Sequence, residues 1–274
     1  MAKKAFCVGI NDYPFGGGND LKGCVNDAND WGTLLKDHFD FTDVKTLTDK
    51  DATKSNIIAG IENLFAGAKS GDVLVFTNAS HGTYQADEEG EDVGDEIGFD
   101  EALCPYDTDS NLLLDDELRR LFKEIIPDGV RLTVISDSCH SGSVTRVVVD
   151  NSRRERRNRE LPPDVWGGRV LNDGQIRQVR AKKKQEAEKY PESGMKELLL
   201  SGCKSSQTSA DAYIDDDYHG AMSYYAIKAI RDTNFKLTYR ELHGLLIPML
   251  EDANFDQVPQ LEGKEENKDR QIFT

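Results

Sequence analysis

Apolar residues along this chain follow two periods, and the periods alternate. Residues 4–10 (KAFCVGI) form a short, nearly continuous apolar run closed by Asn11-Asp12, the pattern of a strand buried on both faces. Residues 26–38 switch to helical spacing, and 44–48 read as a second strand. Residues 53–68 open with Thr53 in a capping position and repeat Ile57, Ile58, Ile61, Leu64 and Phe65 at helical spacing. A buried strand follows at 72–77 (DVLVFT), then a helix at 115–125 with Leu118, Leu121, Phe122 and Ile125 on one side, then a strand at 131–136 (RLTVIS). Further on, 196–201 reads as a strand, 223–233 and 238–254 as helices, and 258–261 as a last short strand. Strands alternating with helices predict an α/β fold: a mostly parallel central sheet flanked by helices.

Two stretches break the pattern. Residues 84–100 are acidic, hold Gly90, Gly94 and Gly98, and read as a loop. Residues 145–193 carry Pro162-Pro163, Gly167-Gly168 and runs of Arg and Lys without sustained period, and read as an exposed basic loop or linker. The expected organisation is one domain, 1–274, with a part at 1–144 before the loop and a part at 194–274 after it.

Charge sharpens the picture. The chain carries a formal charge of −16, which disfavours nucleic acid and anionic membrane as partners and favours basic peptides or cations. Between residues 146 and 189 the balance reverses, with 13 Lys/Arg against 7 Asp/Glu. No apolar run approaches the length of a membrane span, and no secretory leader is apparent. The five cysteines lack CxxC spacing, so neither a disulfide framework nor a zinc knuckle is suggested; a cytoplasmic setting is expected.

Two predicted strands end in reactive side chains. The strand at 72–77 runs into Asn78-Ala79-Ser80-His81-Gly82, and the strand at 131–136 into Asp137-Ser138-Cys139-His140-Ser141-Gly142. Ligands of open parallel sheets sit beyond the carboxyl ends of strands. If the two strands are neighbours, a thiol and an imidazole meet there, as nucleophilic catalysis by cysteine requires. Gly82 and Gly142 would allow a substrate backbone to approach and leave amides free for an oxyanion. Spacing alone leaves open a core cysteine and an ordinary loop histidine.

The sequence resembles the metacaspases, within the caspase-like fold. Asp137–Gly142 matches the family's Asp-x-Cys-His-Ser-Gly motif, and Ala79-Ser80-His81-Gly82 stands where the family usually has Ser-Gly-His-Gly. The segments 21–27 (LKGCVND), 98–101 (GFDE), 201–203 (SGC) with 207–211 (QTSAD), and 257–263 (QVPQLEG) match further family segments in order. The His lies 58 residues before the Cys, near the spacing expected of caspases, while the caspase Gln-Ala-Cys pattern is absent. The resemblance implies a caspase-like three-layer sandwich, with 1–144 and 194–274 as large- and small-subunit-like parts, in a minimal form without a prodomain.

It further implies a cysteine endopeptidase acting through a Cys139–His81 dyad, with the amides of Gly82 and Cys139 as oxyanion hole and no third member. His140 is assigned a structural place. Cleavage after Arg or Lys is expected, with Asp27 and Asp137, and also Cys24, forming the substrate pocket; carboxylates suit a guanidinium. Competing readings of the two acids are a helix-start residue for Asp27 and a turn residue for Asp137. Calcium is the expected cofactor, through Asp100, Asp115 and Asp116, although the latter two open a helix, where acids are favoured anyway. A further family ligand falls at Arg146, a departure that the acidic run 87–95 would have to offset. Expected partners are basic protein or peptide substrates and an activating protease, and the expected state is a monomer. The basic loop is expected to be cleaved within 146–189. Alternatives are a caspase-like protease with another P1 preference, an inactive binding module, or a hydrolase of small molecules.

Overall fold

The structure is a computed structural model of the 274-residue chain; it describes residues 1–15, 18–86, 99–109, 111–139, 156–172, 174–176, 192–204 and 207–274. Its centre is a six-stranded sheet built from β1 (Lys3–Gly9), β2 (Asp43–Thr48), β3 (Val73–Ala79), β7 (Arg131–Asp137), β9 (Glu197–Ser201) and β12 (Gln260–Glu262). The strand order is β12-β9-β7-β3-β1-β2, parallel throughout except for the antiparallel edge strand β12. The continuous apolar runs arise because both faces are covered. On one face Ala5, Cys7, Val73, Val75 and Leu198 meet Trp31, Leu34 and Leu35 of α1 (Cys24–Phe39), Ile230 of α4 (Ala221–Asp232) and Leu246 of α5 (Tyr239–Asp252). On the other, Phe6, Val8, Leu74, Phe76 and Val134 meet Ile57 and Ile61 of α2 (Lys54–Phe65) and Phe122 of α3 (Asp115–Ile125). This is the expected three-layer α/β sandwich.

The local signals resolve as expected at most ends. Thr53 caps α2 by accepting from the Asn56 amide, and Thr238 with Glu241 forms a capping box on α5. Two small antiparallel sheets went unread in the sequence. One consists of β4 (Gly82–Ala86), β5 (Phe99–Leu103) and β6 (Leu113–Leu114), so both ends of the supposed acidic loop are strand; residues 87–98 lie outside the described residues. The other consists of β8 (Arg156–Asn158), β10 (Ala210–Ile214) and β11 (Asp217–Gly220).

β8 corrects the largest expectation. The described part of the basic segment is not an exposed loop throughout: Arg159 and Leu161 are fully buried, and Leu171 and Ile176 pack with Tyr84 and Ala86. Arg-rich β8 pairs antiparallel with β10, Arg157 opposite Asp211. Its composition resembles a solvated linker, but tertiary partners decide its place.

Candidate active site

The site grows out of strand register. β3 and β7 are parallel neighbours with Ala79 opposite Asp137. His81 and Cys139 each follow two residues later, so their separation of 58 is the register offset itself. Both are buried at the carboxyl edge of the sheet. Gly82 is required for a reason other than substrate access. A Cβ there would stand 1.5 Å from the Cys139 carbonyl oxygen, so only glycine lets the two loops close together. His140, Gly142 and Arg146 lie outside the described residues.

The histidine is held on three sides. One ring nitrogen, Nε2, lies 2.7 Å from the Asn19 backbone carbonyl and donates to it. The ring packs on Tyr13 with centroids 4.9 Å apart, and the Tyr13 hydroxyl accepts from the His81 amide. With the proton on Nε2, the buried Nδ1 is left as a free base beside the Arg159 backbone, with no partner at full hydrogen-bond geometry. Burial pushes the imidazole down to about 4, against the pull of the Asn19 and Arg159 backbone. The Asn19 carbonyl is a contact that no side-chain motif could reveal.

Cys139 accepts from the Ser209 amide at 2.8 Å through Sγ, and its thiol points at the Ser209 carbonyl 3.4 Å away. Burial, and next the neighbouring thiol of Cys203, hold its pKa well above the ordinary thiol range. Above it lies Arg159. The Arg159 carbonyl accepts from the amides of Gly82 (2.9 Å) and Cys139 (3.3 Å), the pair expected to form the oxyanion hole. The Arg159 amide donates to the Ser209 carbonyl and Leu161 donates to Gly82, so the segment lies in the cleft as an added strand.

Its side chain fills an acidic pocket. The guanidinium reaches Asp27 at 2.6 Å, Asp211 at 3.1 Å and Asp137 at 3.4 Å, and donates to the Asp137 carbonyl at 2.8 Å. All four side chains are essentially without solvent exposure. Cys24 is buried beside them and close enough to Arg159 to feel its charge. Burial raises Asp27 to about 6, opposed chiefly by Arg159. Each acid is braced: Asp27 accepts from the Gly220 amide, Asp137 from the Ser223 amide and Ser209 hydroxyl, and Asp211 from the amides of Lys22 and Gly23. The structure therefore brings together Asp27, Asp137 and Cys24. It adds Asp211, which sequence reasoning had quoted within a motif without giving it a role.

The three acids expected to bind calcium sit elsewhere. Ala102 of β5 pairs with Leu114 of β6, a register that directs Asp100 towards the start of α3, where Asp115 and Asp116 lie. Arg119 pairs with both helical acids, at 3.2 and 2.7 Å. Calcium takes six or more oxygens. Among the described residues no group of three or more His, Cys, Asp or Glu is arranged to hold a metal ion. Among the described residues no helix is long and apolar enough to cross a membrane.

A thiol and an imidazole at the carboxyl edge of a caspase-like sheet, beneath a peptide carbonyl held by two amides, define a cysteine peptidase. Comparison with known proteins agrees: residues 3–148 match the family described as metacaspase, peptidase C14 domain, and the chain belongs to that family. It is 31% identical to metacaspase-1 of Meyerozyma guilliermondii over 291 residues, covering 94% of this chain and 68% of that protein. It is 42% identical to metacaspase-4 of Arabidopsis thaliana over 151 residues, covering 53% of this chain and 34% of that one. Among solved structures, a protein from Geobacter sulfurreducens superposes with a TM-score of 0.74 at 28% identity, over 100% of this chain and 99% of that one. Caspase-1 from Spodoptera frugiperda, at TM-score 0.58 and 13% identity over 96% and 86% of the two chains, shares the fold.

Proposed function

We propose that this chain is an endopeptidase specific for Arg or Lys at P1, held inactive by its own residues 156–161 and activated by cutting the Arg159–Glu160 bond. The observation that carries the reading is Arg159, which lies as a substrate would: guanidinium among three carboxylates, carbonyl on two converging amides. His81 Nδ1 takes the Cys139 proton as the thiolate attacks the Arg159 carbonyl. The Gly82 and Cys139 amides hold the oxyanion, and the proton passes to the Glu160 amine as it leaves. Water then releases the acyl group. With the new carboxyl end free to leave, the emptied pocket accepts Arg or Lys of another chain. Calcium, implied by the family resemblance, enters the proposal as a stimulating cation to be titrated.

Matched fluorogenic peptides ending in Arg, Lys and Asp, with and without calcium or chelator, test the specificity, with new termini mapped by mass spectrometry. Arg and Lys peptides are cut and a chain beginning at Glu160 appears; Cys139→Ala and His81→Ala show neither. Preference for Asp would refute the acidic-pocket argument. A wild-type chain that cuts peptides while its 159–160 bond stays intact would remove self-processing. Equal rates in calcium and chelator would remove the cation.

A further inference from the structure

Cys203 is a buried thiol that the peptidase chemistry does not use. It follows β9 by two residues, and Cys139 follows β7 by two. β7 and β9 are parallel neighbours with Ser136 opposite Ser201, and the Gly202 amide donates to the Ser136 carbonyl at 2.8 Å, so the strands stay paired up to the two thiols. Continued past the pairing, this register sets Cys203 opposite Ser138, one residue from Cys139; paired strands run about 4.8 Å apart, and the Cα atoms of disulfides lie about 4.4–6.8 Å apart. Gln207 and Ser209 each meet one of the two sulfurs. Cys203 Sγ donates to the Gln207 carbonyl at 3.3 Å, and Cys139 Sγ contacts the Ser209 amide and carbonyl two residues on. After burial, the neighbouring Cys203 thiol is the largest influence holding the Cys139 thiol above its ordinary range. The other free thiols sit on other elements: Cys7 lies within β1, Cys24 opens α1 and Cys104 follows β5.

We infer that Cys203 is a resolving thiol for Cys139, and that a peroxide converts the pair into a disulfide that shuts the peptidase off reversibly. The inference rests on Cys139 being the nucleophile. The Cys139 thiolate attacks one peroxide oxygen; an S–O bond forms, the O–O bond breaks, and the departing oxygen leaves as water after taking a proton. The Cys203 thiol then attacks the sulfenic sulfur; an S–S bond forms, the S–O bond breaks, and a second water leaves carrying the Cys203 proton. Two thiols and one hydrogen peroxide thus give one disulfide and two waters. A dithiol reductant returns both thiols by two exchanges and is itself oxidised. In the uncut chain Arg159 lies over Cys139, which has no solvent exposure, so the switch belongs to the processed enzyme.

Full-length protein cut after Arg159 is exposed to graded hydrogen peroxide beside the uncut chain, then digested and mapped without reduction. The processed wild type yields a crosslink between the peptides bearing Cys139 and Cys203, with the loss of two hydrogens, and loses peptidase activity in step. Dithiothreitol restores both. In Cys203→Ser the same dose carries Cys139 on to the sulfinic acid, and dithiothreitol restores nothing. The uncut chain crosslinks more slowly. A crosslink of Cys139 to Cys24, or sulfinic acid forming in wild type as readily as in Cys203→Ser, would overturn the inference. Absence of the crosslink while Cys139→Ala remains inactive would overturn it alone. A complete crosslink that leaves activity untouched would instead refute Cys139 as nucleophile.

Discussion

Replacing Arg159 by Gln tests the plug at its anchor. The guanidinium makes contacts of 2.6, 3.1 and 3.4 Å to three buried carboxylates and one of 2.8 Å to a backbone carbonyl. Removing one member of a buried charge cluster costs about 3–5 kcal/mol when the other charges stay buried. Here they need not, because release of the segment lets water reach Asp27, Asp137 and Asp211, so the lower end applies. At about 1.4 kcal/mol per tenfold change, about 3 kcal/mol shifts the closed-to-open ratio about a hundredfold towards open. Cys139 reports that ratio directly. It has no solvent exposure in the closed form, so an alkylating reagent reaches it only through opening. Intact-mass kinetics with iodoacetamide, on uncut protein only, should show Cys139 of Arg159→Gln labelled one to two orders of magnitude faster than in wild type. Arg159→Lys should fall between, keeping the charge but losing the fork. The variant should also cut Arg peptides in trans without being cut after residue 159. If Gln at 159 leaves the labelling rate within a factor of about two of wild type, the pocket contacts do not hold the segment down.

Two more predictions follow from the same geometry. Asp211→Asn removes a charge 3.1 Å from the guanidinium and leaves an acceptor oxygen for only one of the Lys22 and Gly23 amides, which Asp211 accepts through different oxygens; kcat/KM for Arg peptides should drop by about 10- to 100-fold, measured beside the unfolding midpoint so that a fall in activity larger than any loss of stability marks the pocket. His81 should weaken the plug in acid, while Asp27, raised to about 6 in the closed form, acts in the opposite sense and makes the His81→Ala control necessary. His81 is depressed to about 4 in the closed form, so neutral imidazole stabilises that form fully above its ordinary value of 6.5, and the stabilisation is lost as pH falls from there towards 4. Alkylation of the neighbouring thiol is unsuitable at low pH, so opening is read by hydrogen exchange of the Arg159 and Leu161 amides in Cys139→Ala. Protection that does not fall between pH 6.5 and 4 relative to a His81→Ala control would refute the assignment.

The sheet and the two reactive residues were legible because they rest on local rules. Continuous apolar runs marked the buried strands, and equal offsets past β3 and β7 carried His81 and Cys139 to one edge. Asp27 and Asp137 were reached by resemblance, and the pocket brings both together. What the sequence concealed was tertiary. Arg159 sits in a run of charges that reads as solvated, and only carboxylates from positions 27, 137 and 211 make burial affordable to it. The hold on His81 comes from a backbone carbonyl, which has no residue signature. The three-residue strand β8 carries no alternation at all, and exists because β10 offers it an edge.

The partition of the central sheet has a thermodynamic sequel. β1, β2, β3 and β7 precede Arg159, whereas β9 and β12 follow it, so a cut after that residue leaves one sheet built from two chains. Uncut, the second half finds the first at the effective concentration its tether sets, on the order of millimolar. Once severed, an unfolded pair must find each other by diffusion at whatever concentration the solution holds. Intact protein should recover after melting, whereas a form cut after Arg159 and melted in dilute solution should stay apart. The proposed cleavage would thereby convert a renewable fold into a single-use one, whose working life ends at its first global unfolding.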